Sequence, residues 1–419
     1  MARQKEPLSI SQHEGSKQQS RYRDLRGAVS HCSFFMPKNY KEILTDANNL
    51  YRAAQISRKA SGWKSSTQRF MFDYLSQIAK MQKELMEQSY KPSKGTAFVI
   101  SERGKTRHIR SNPMYDKVVR RCLCDEVLVP ELSKYLIYDN GASLPGKGLS
   151  FARKRLEHHL HDYYRKTGTN VGYILLVDYS KYYDNIRHDR LMEQVEKHIQ
   201  DKYVLWLLQQ IISNFEVDVS YMSDEEYEHC LEQKYNPDAV DPTLQTGVKY
   251  MAKSLGIGDQ VSQILSIYFP HTIDNYIKIV RGMKWYERYM DDSCLISQSK
   301  EELHEIYLET AKQAQELGIH INKKKTHIMR IDKGFSFLQM RYRLTETGHL
   351  VKRINPKRVT DARRRLKKLA KLELAGKVEP GTMDTSYRTW IGSTGKLASQ
   401  RTKLNMKRLY LSLCKELRK

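Results

Sequence analysis

Apolar residues change their spacing several times along the chain. Helical periodicity covers residues 41–59 and 67–89, the second through Phe70, Leu75, Ile78, Met81 and Leu85. Lys91, Pro92 and Gly95 break it. Residues 96–101 are β-rich, and a turn at 102–105 leads into 106–110, which predicts a hairpin. Helical spacing returns over 115–135 and 150–164. Residues 171–177 form an apolar run of strand length, followed by predicted helices over 190–198, 203–214, 262–280 and 301–317. Two short strands, 285–290 and 293–297, are separated only by Asp291 and Asp292. Residues 335–344 are expected to pair with 350–354 across Glu346-Thr347-Gly348, and the chain beyond Asn355 reads as basic helix. Residues 216–242 read as an acidic, irregular insertion. Strands and helices alternate without an internal repeat, so the expected class is α+β.

Charge narrows the function. The 419 residues hold 72 Lys and Arg against 48 Asp and Glu, a net charge of +24. Such an excess suits a polyanion, nucleic acid first and an anionic membrane surface second. Residues 1–30, rich in Gln, Ser, Lys and Arg, read as a flexible basic arm. No apolar run approaches the roughly 20 residues of a membrane span, and the first residues lack the apolar segment of a signal peptide. Six scattered cysteines, with only Cys122 and Cys124 close together, lack zinc spacing; both are expected to be buried helix residues. A reduced, cytoplasmic protein with no membrane partner is expected. His158, His159 and His161 fall on a surface-type helix without matching ligands.

Acidic residues supply the candidate chemistry. Asp291 and Asp292 sit between apolar strand halves, where paired carboxylates repel unless a tight turn presents them to a cation. Asp178 closes the run Ile174-Leu175-Leu176-Val177, and a carboxylate at the end of a buried strand is costly unless bound. Three carboxylates of this kind suit two Mg²⁺ ions clamping a phosphoryl transfer. With the positive charge, they point to nucleotidyl transfer on nucleic acid.

The motifs resemble those of reverse transcriptases. Asp178-Tyr179-Ser180-Lys181-Tyr182-Tyr183-Asp184 is similar to the family's first palm motif, and Tyr289-Met290-Asp291-Asp292 to its most specific one. Between them, Gly258-Asp259-Gln260-Val261-Ser262-Gln263 resembles the nucleotide-pocket motif. Leu317-Gly318-Ile319 with Lys325 resembles the fourth palm motif, and Gly334-Phe335-Ser336-Phe337-Leu338 the primer grip. Lys105 to Arg110, and Tyr138 to Ser143 with Gly146-Lys147-Gly148, resemble fingers segments. The resemblance covers roughly residues 90–345, with a weaker thumb-like match around Trp390.

It implies a right-hand polymerase: a basic arm (1–30), N-terminal helices and fingers (31–170), a palm (171–345) and a basic helical thumb (346–419). The implied catalytic and metal residues are Asp178, Asp291 and Asp292, with two Mg²⁺ ions or Mn²⁺. The implied nucleotide-binding residues are Tyr183, which excludes a 2′-hydroxyl, and Lys105, Arg107, Arg110, Gln263 and Lys325. The fingers cations face either the triphosphate or template phosphates. Lys325 is either a proton donor to pyrophosphate or part of a solvated basic face. Gly256, Gly258, Phe337, Leu338, Arg364 and Lys368 are expected at template or primer. Implied partners are an RNA template, a DNA primer and product, and dNTPs, with a structured non-coding RNA and an accessory protein. Ser262-Gln263, in place of Ser-Pro, resembles diversity-generating retroelement enzymes and some antiphage defence enzymes. A non-catalytic RNA-binding protein on the same scaffold is the remaining alternative. The chain is expected to carry no endonuclease, RNase H-like or integrase segment.

Overall fold

A computed structural model describes residues 38–419, apart from 60, 103–104, 236–241 and 418–419. The expected basic arm lies outside the described residues. The chain is α+β, as its alternating pattern implies. The sheet that positions the acidic residues is antiparallel, in the order β6-β7-β3-β8. These strands are β3 (Tyr173–Val177), β6 (Tyr286–Tyr289), β7 (Asp292–Ser297) and β8 (His327–Arg330). The remaining strands are β1 (Thr96–Glu102) with β2 (Lys105–Ser111), β4 (Val217–Asp218) with β5 (Tyr250–Met251), and a small sheet of β9 (Phe335–Phe337), β10 (Met340–Leu344) and β11 (Leu350–Ile354).

The sheet is covered on both faces, so its central strands are apolar at consecutive positions. Leu175 and Val177 of β3 and Leu295 of β7 face one core, while Ile174, Cys294 and Ile296 face another. The first core is continuous from Leu44 and Leu50 through Val118 and Leu123 to Ile267 and Ile306. Cys122 and Cys124 are buried in it, as their helical spacing implies. A separate core of Leu366, Met383, Trp390, Met406 and Leu413 holds three C-terminal helices together: Pro356–Leu374, Thr382–Gly392 and Gln400–Leu417. Val359 and Ala398, both partly buried, touch this core and the second one.

Several expected elements divide. Helical spacing over 41–59 becomes Tyr40–Thr45 and Ala47–Lys59, and that over 67–89 becomes Ser65–Phe72 and Tyr74–Met86. The expected helix 262–280 ends at Tyr268, because Pro270 has no N–H to continue the ladder; His271–Asn275 and a π-helical turn, Tyr276–Val280, follow. Residues 335–344 are two strands, since Leu338 and Gln339 both take positive φ (45° and 69°) and reverse the chain. The acidic insertion is more ordered than its composition implies. Helix Asp224–Glu232 starts with a capping box between Ser223 and Glu226, and Val219, Tyr235 and Met251 bury a small core of their own. His159 is buried beside Asp139 rather than on a surface face.

Candidate active site

β3 ends at Val177, which pairs with Ser293 of β7. Antiparallel register therefore sets Asp178 across from Asp292. Tyr289 pairs with Asp292, so Met290 and Asp291 form the tip of the β6–β7 hairpin. Asp178, Asp291 and Asp292 each bring one carboxylate oxygen to within 4.8 Å of the others, and all three are half-buried. The Lys325 ammonium lies 2.8 Å from both oxygens of Asp178. An all-carboxylate donor set that already attracts a cation fits a hard divalent ion such as Mg²⁺ or Mn²⁺.

Met290 takes φ +56° without being glycine, a conformation that persists only when its surroundings hold it. Arg288 supplies the hold. Its Nη1 donates to the Met290 carbonyl (2.9 Å) and its Nη2 to the Ile267 carbonyl (2.6 Å). Its Nε and Nη2 grip the Asp274 carboxylate at 2.6–3.0 Å, and the Tyr286 hydroxyl donates to Asp274 at 2.7 Å. Both charges are fully buried. On the other face of β6, burial and then the negative charge of Asp139 push the Glu287 carboxyl well above its usual range. The same strand thus buries a charged side chain on one face and, on the other, a carboxyl whose charged form is disfavoured.

The sequence profile described as reverse transcriptase (RNA-dependent DNA polymerase) matches residues 93–342. The chain belongs to the reverse transcriptase family. The fold is also similar to two solved telomerases. One is apo telomerase from Candida tropicalis, truncated from its C-terminal domain (14% identity, 62% of this chain and 54% of that chain, TM-score 0.43). The other is telomerase from Candida albicans in complex with a TWJ fragment of telomeric RNA (13% identity, 82% of this chain and 59% of that chain, TM-score 0.46). The chain spans less than two thirds of either. No curated protein matches it in sequence. Among the described residues, no helix is long and apolar enough to cross a membrane.

The other expected site residues of this reverse transcriptase fall in distinct surroundings. Tyr183 stands beside the β6–β7 hairpin, its hydroxyl 2.9 Å from Ser266 Oγ and 3.8 Å from Met290 Sδ. Gln263 and Gly258 line a cavity of about 310 Å³ with Arg121, Ser143, Gln260 and Ile264. Gly258 takes φ +92° and has nothing within 4 Å of where a Cβ would stand, so its backbone is open to a ligand. Gly256 differs. A Cβ there would meet the Phe215 ring at 2.4 Å, so internal packing requires glycine at this position.

Phe337 and Leu338, expected at the primer, are buried in the second core. What they shape is the β9–β10 turn, whose Leu338 carbonyl accepts from Arg153 Nε (3.1 Å) and Nη2 (2.7 Å). Arg110 donates to the Asn214 carbonyl. Lys105 and Arg107 lie on β2, and their side chains fall outside the described residues. Arg364 and Lys368 are exposed on helix Pro356–Leu374.

Sequence reasoning missed two buried ion pairs. Besides Arg288–Asp274, Arg120 Nη1 lies 2.7 Å from Asp259, which Asn112 also reaches at 2.8 Å. The other Asp259 oxygen caps helix Gln260–Tyr268 through the backbone N–H groups of Val261 and Ser262. Arg120 stands 4.9 Å over the Phe215 ring. The available signal was a charged pair inside an apolar segment, as at Arg120-Arg121 between Val119 and Cys122, or Glu287-Arg288 between Tyr286 and Tyr289.

Proposed function

We propose that this chain copies RNA into DNA by nucleotidyl transfer at Asp178, Asp291 and Asp292, and that it serves a diversity-generating retroelement. The observation that carries the first part is the convergence of three carboxylates from a strand end and a hairpin tip. When bound, divalent ions supply charge neutralisation at the triphosphate and lower the pKa of the primer 3′-hydroxyl. The protein's own groups do the rest. Asp178, Asp291 and Asp292 hold the ions. Tyr183 bars a 2′-hydroxyl. Gln263 offers a donor and an acceptor beside the templating pair. Lys105 and Arg107 neutralise the triphosphate, with Arg110 securing the base of their hairpin. Lys325 carries a proton to the departing pyrophosphate. Gly258 admits the template backbone, the β9–β10 turn set by Phe337 and Leu338 guides the primer, and Arg364 and Lys368 bind duplex phosphates.

In this reading residues 31–170 act as N-terminal helices and fingers, 171–345 as palm and 346–419 as thumb. Ser262-Gln263 supports the retroelement assignment, with a template-repeat RNA and an accessory protein as partners. An antiphage enzyme copying its own non-coding RNA shares that dipeptide and is the second reading.

Primer extension on poly(rA) with oligo(dT), dTTP and Mg²⁺ tests the chemistry. Extension is expected from the natural chain and none from Asp291→Ala/Asp292→Ala; equal extension by both would overturn the site. Sequencing the RNA retained by the chain in its host separates the two roles. A template repeat flanking a variable gene supports the first, and a self-encoded non-coding RNA the second.

A further inference from the structure

We infer that Ser266 is a positioning residue for sugar selection, acting through the hydroxyl of Tyr183; this rests on the reading of Tyr183 as the bar to a 2′-hydroxyl. Ser266 is fully buried on helix Gln260–Tyr268, one turn beyond Gln263. Its hydroxyl donates to the Gln263 carbonyl at 3.0 Å. That uses its only proton, so at 2.9 Å it accepts from Tyr183. Burial pushes the Tyr183 phenol up, which keeps that donor protonated. The result is a directed relay: Tyr183 hydroxyl to Ser266 Oγ to Gln263 carbonyl.

The helix turn that carries Ser266 does not yield. The Tyr182 hydroxyl donates to the Ser266 carbonyl at 2.7 Å, and Arg288 donates to the next carbonyl, Ile267. One helical turn therefore fixes the residues that follow Asp178 and those that precede Asp291. Among the described residues, the Tyr183 hydroxyl has one further polar contact, the weak approach at 3.8 Å to Met290 Sδ, while its ring packs edge-on against Tyr182. A ring that bars a hydroxyl by sterics works only as well as it resists displacement. Without Ser266 Oγ, the ring keeps its bulk and loses its strong tether.

The test is single-nucleotide incorporation by the full chain on an RNA template offering cytosine, comparing kcat/KM for dGTP and GTP. Ser266→Ala and Tyr183→Phe are each expected to lower the dGTP/GTP ratio about fivefold, and in Ser266→Ala kcat/KM for dGTP should be nearly unchanged; fivefold is about 1 kcal/mol, the worth of one such bond. The double variant is expected to fall no further than either single one, since both remove one interaction. Tyr183→Ala is expected to lower the ratio far more. If Tyr183→Ala leaves the ratio unchanged, the gate reading itself fails. If Tyr183→Ala changes it while Ser266→Ala and Tyr183→Phe do not, only the role of Ser266 fails. A Ser266→Ala variant that loses both substrates equally is merely structural and also overturns the inference.

Discussion

Two buried arginine–aspartate pairs support the site, and they are built differently. Arg288 spends its guanidinium on Asp274, Ile267 and Met290, and among the described residues each nitrogen of that guanidinium has a partner. Arg120 makes one bond to Asp259, and among the described residues its Nε and Nη2 find no partner; the Phe215 ring covers it instead. Asp259, by contrast, is held by Asn112 and two backbone N–H groups whether or not Arg120 is present. A buried pair is strongly destabilising to break only when the survivor is left uncompensated. The first pair is a clamp on the strained turn at Met290, and the second is a cap with an added counter-charge.

Arg288→Met should have the largest effect. It strands the Asp274 charge and two carbonyls, with an expected loss of about 3–5 kcal/mol in urea unfolding. Arg288→Lys keeps the charge without the fork; it should fold, yet lose about a hundredfold in primer extension because the Met290 turn shifts. Arg120→Met should lose only about 1–3 kcal/mol, because Asp259 keeps three donors.

Double replacements sharpen the contrast. Arg120→Met/Asp259→Asn retains the helix cap and should unfold within about 1 kcal/mol of the natural chain. Arg288→Met/Asp274→Leu should remain about 3 kcal/mol down, since the Met290 and Ile267 carbonyls and the Tyr286 hydroxyl stay orphaned.

Acid should also act unevenly. His271, stacked on Tyr268 and one helical turn before Asp274, is pushed down to about 4, chiefly by burial. Between its ordinary 6.5 and that value the unfolded chain binds a proton that the folded chain does not, so stability falls as pH drops through this window. Unfolding midpoints at pH 7 and pH 5 should differ less in His271→Phe, and the slope should be untouched by Arg120→Met. The smallest change in stability is expected for Arg364→Ala and Lys368→Ala. Their melting should match the natural chain, while each lowers the salt slope of duplex binding by about one.

The hairpin bearing Asp291 and Asp292 was legible because an acid pair between apolar strand halves has few structural uses. The strand before Asp178 was legible as an apolar run of strand length. Its supporting clamp was not. Arg288 and Asp274 are fourteen residues apart, and no periodicity links a strand residue to one on a separate short helix. The β9–β10 reversal left no mark either, since Leu338 and Gln339 are not turn residues by type and take positive φ only because Arg153 and the core hold them. β8 escaped notice because it is an edge strand whose side chains are mostly exposed. Gly256 and Gly258 were both expected at the template, on one motif. Only the Phe215 ring, forty-one residues away, tells the two apart.

The division of the cores has a mechanical consequence. The cluster from Leu44 to Ile306 makes a stiff block, so relative displacement of its parts would shear packed side chains. The three C-terminal helices have their own cluster and meet the rest through Val359 and Ala398, next to a joint where the Asn355 N–H donates to the Gln339 carbonyl. Bending is cheapest at that joint. The basic helix face can swing as a lever about that joint while Asp178, Asp291, Asp292, Tyr183 and Arg288 keep their spacing.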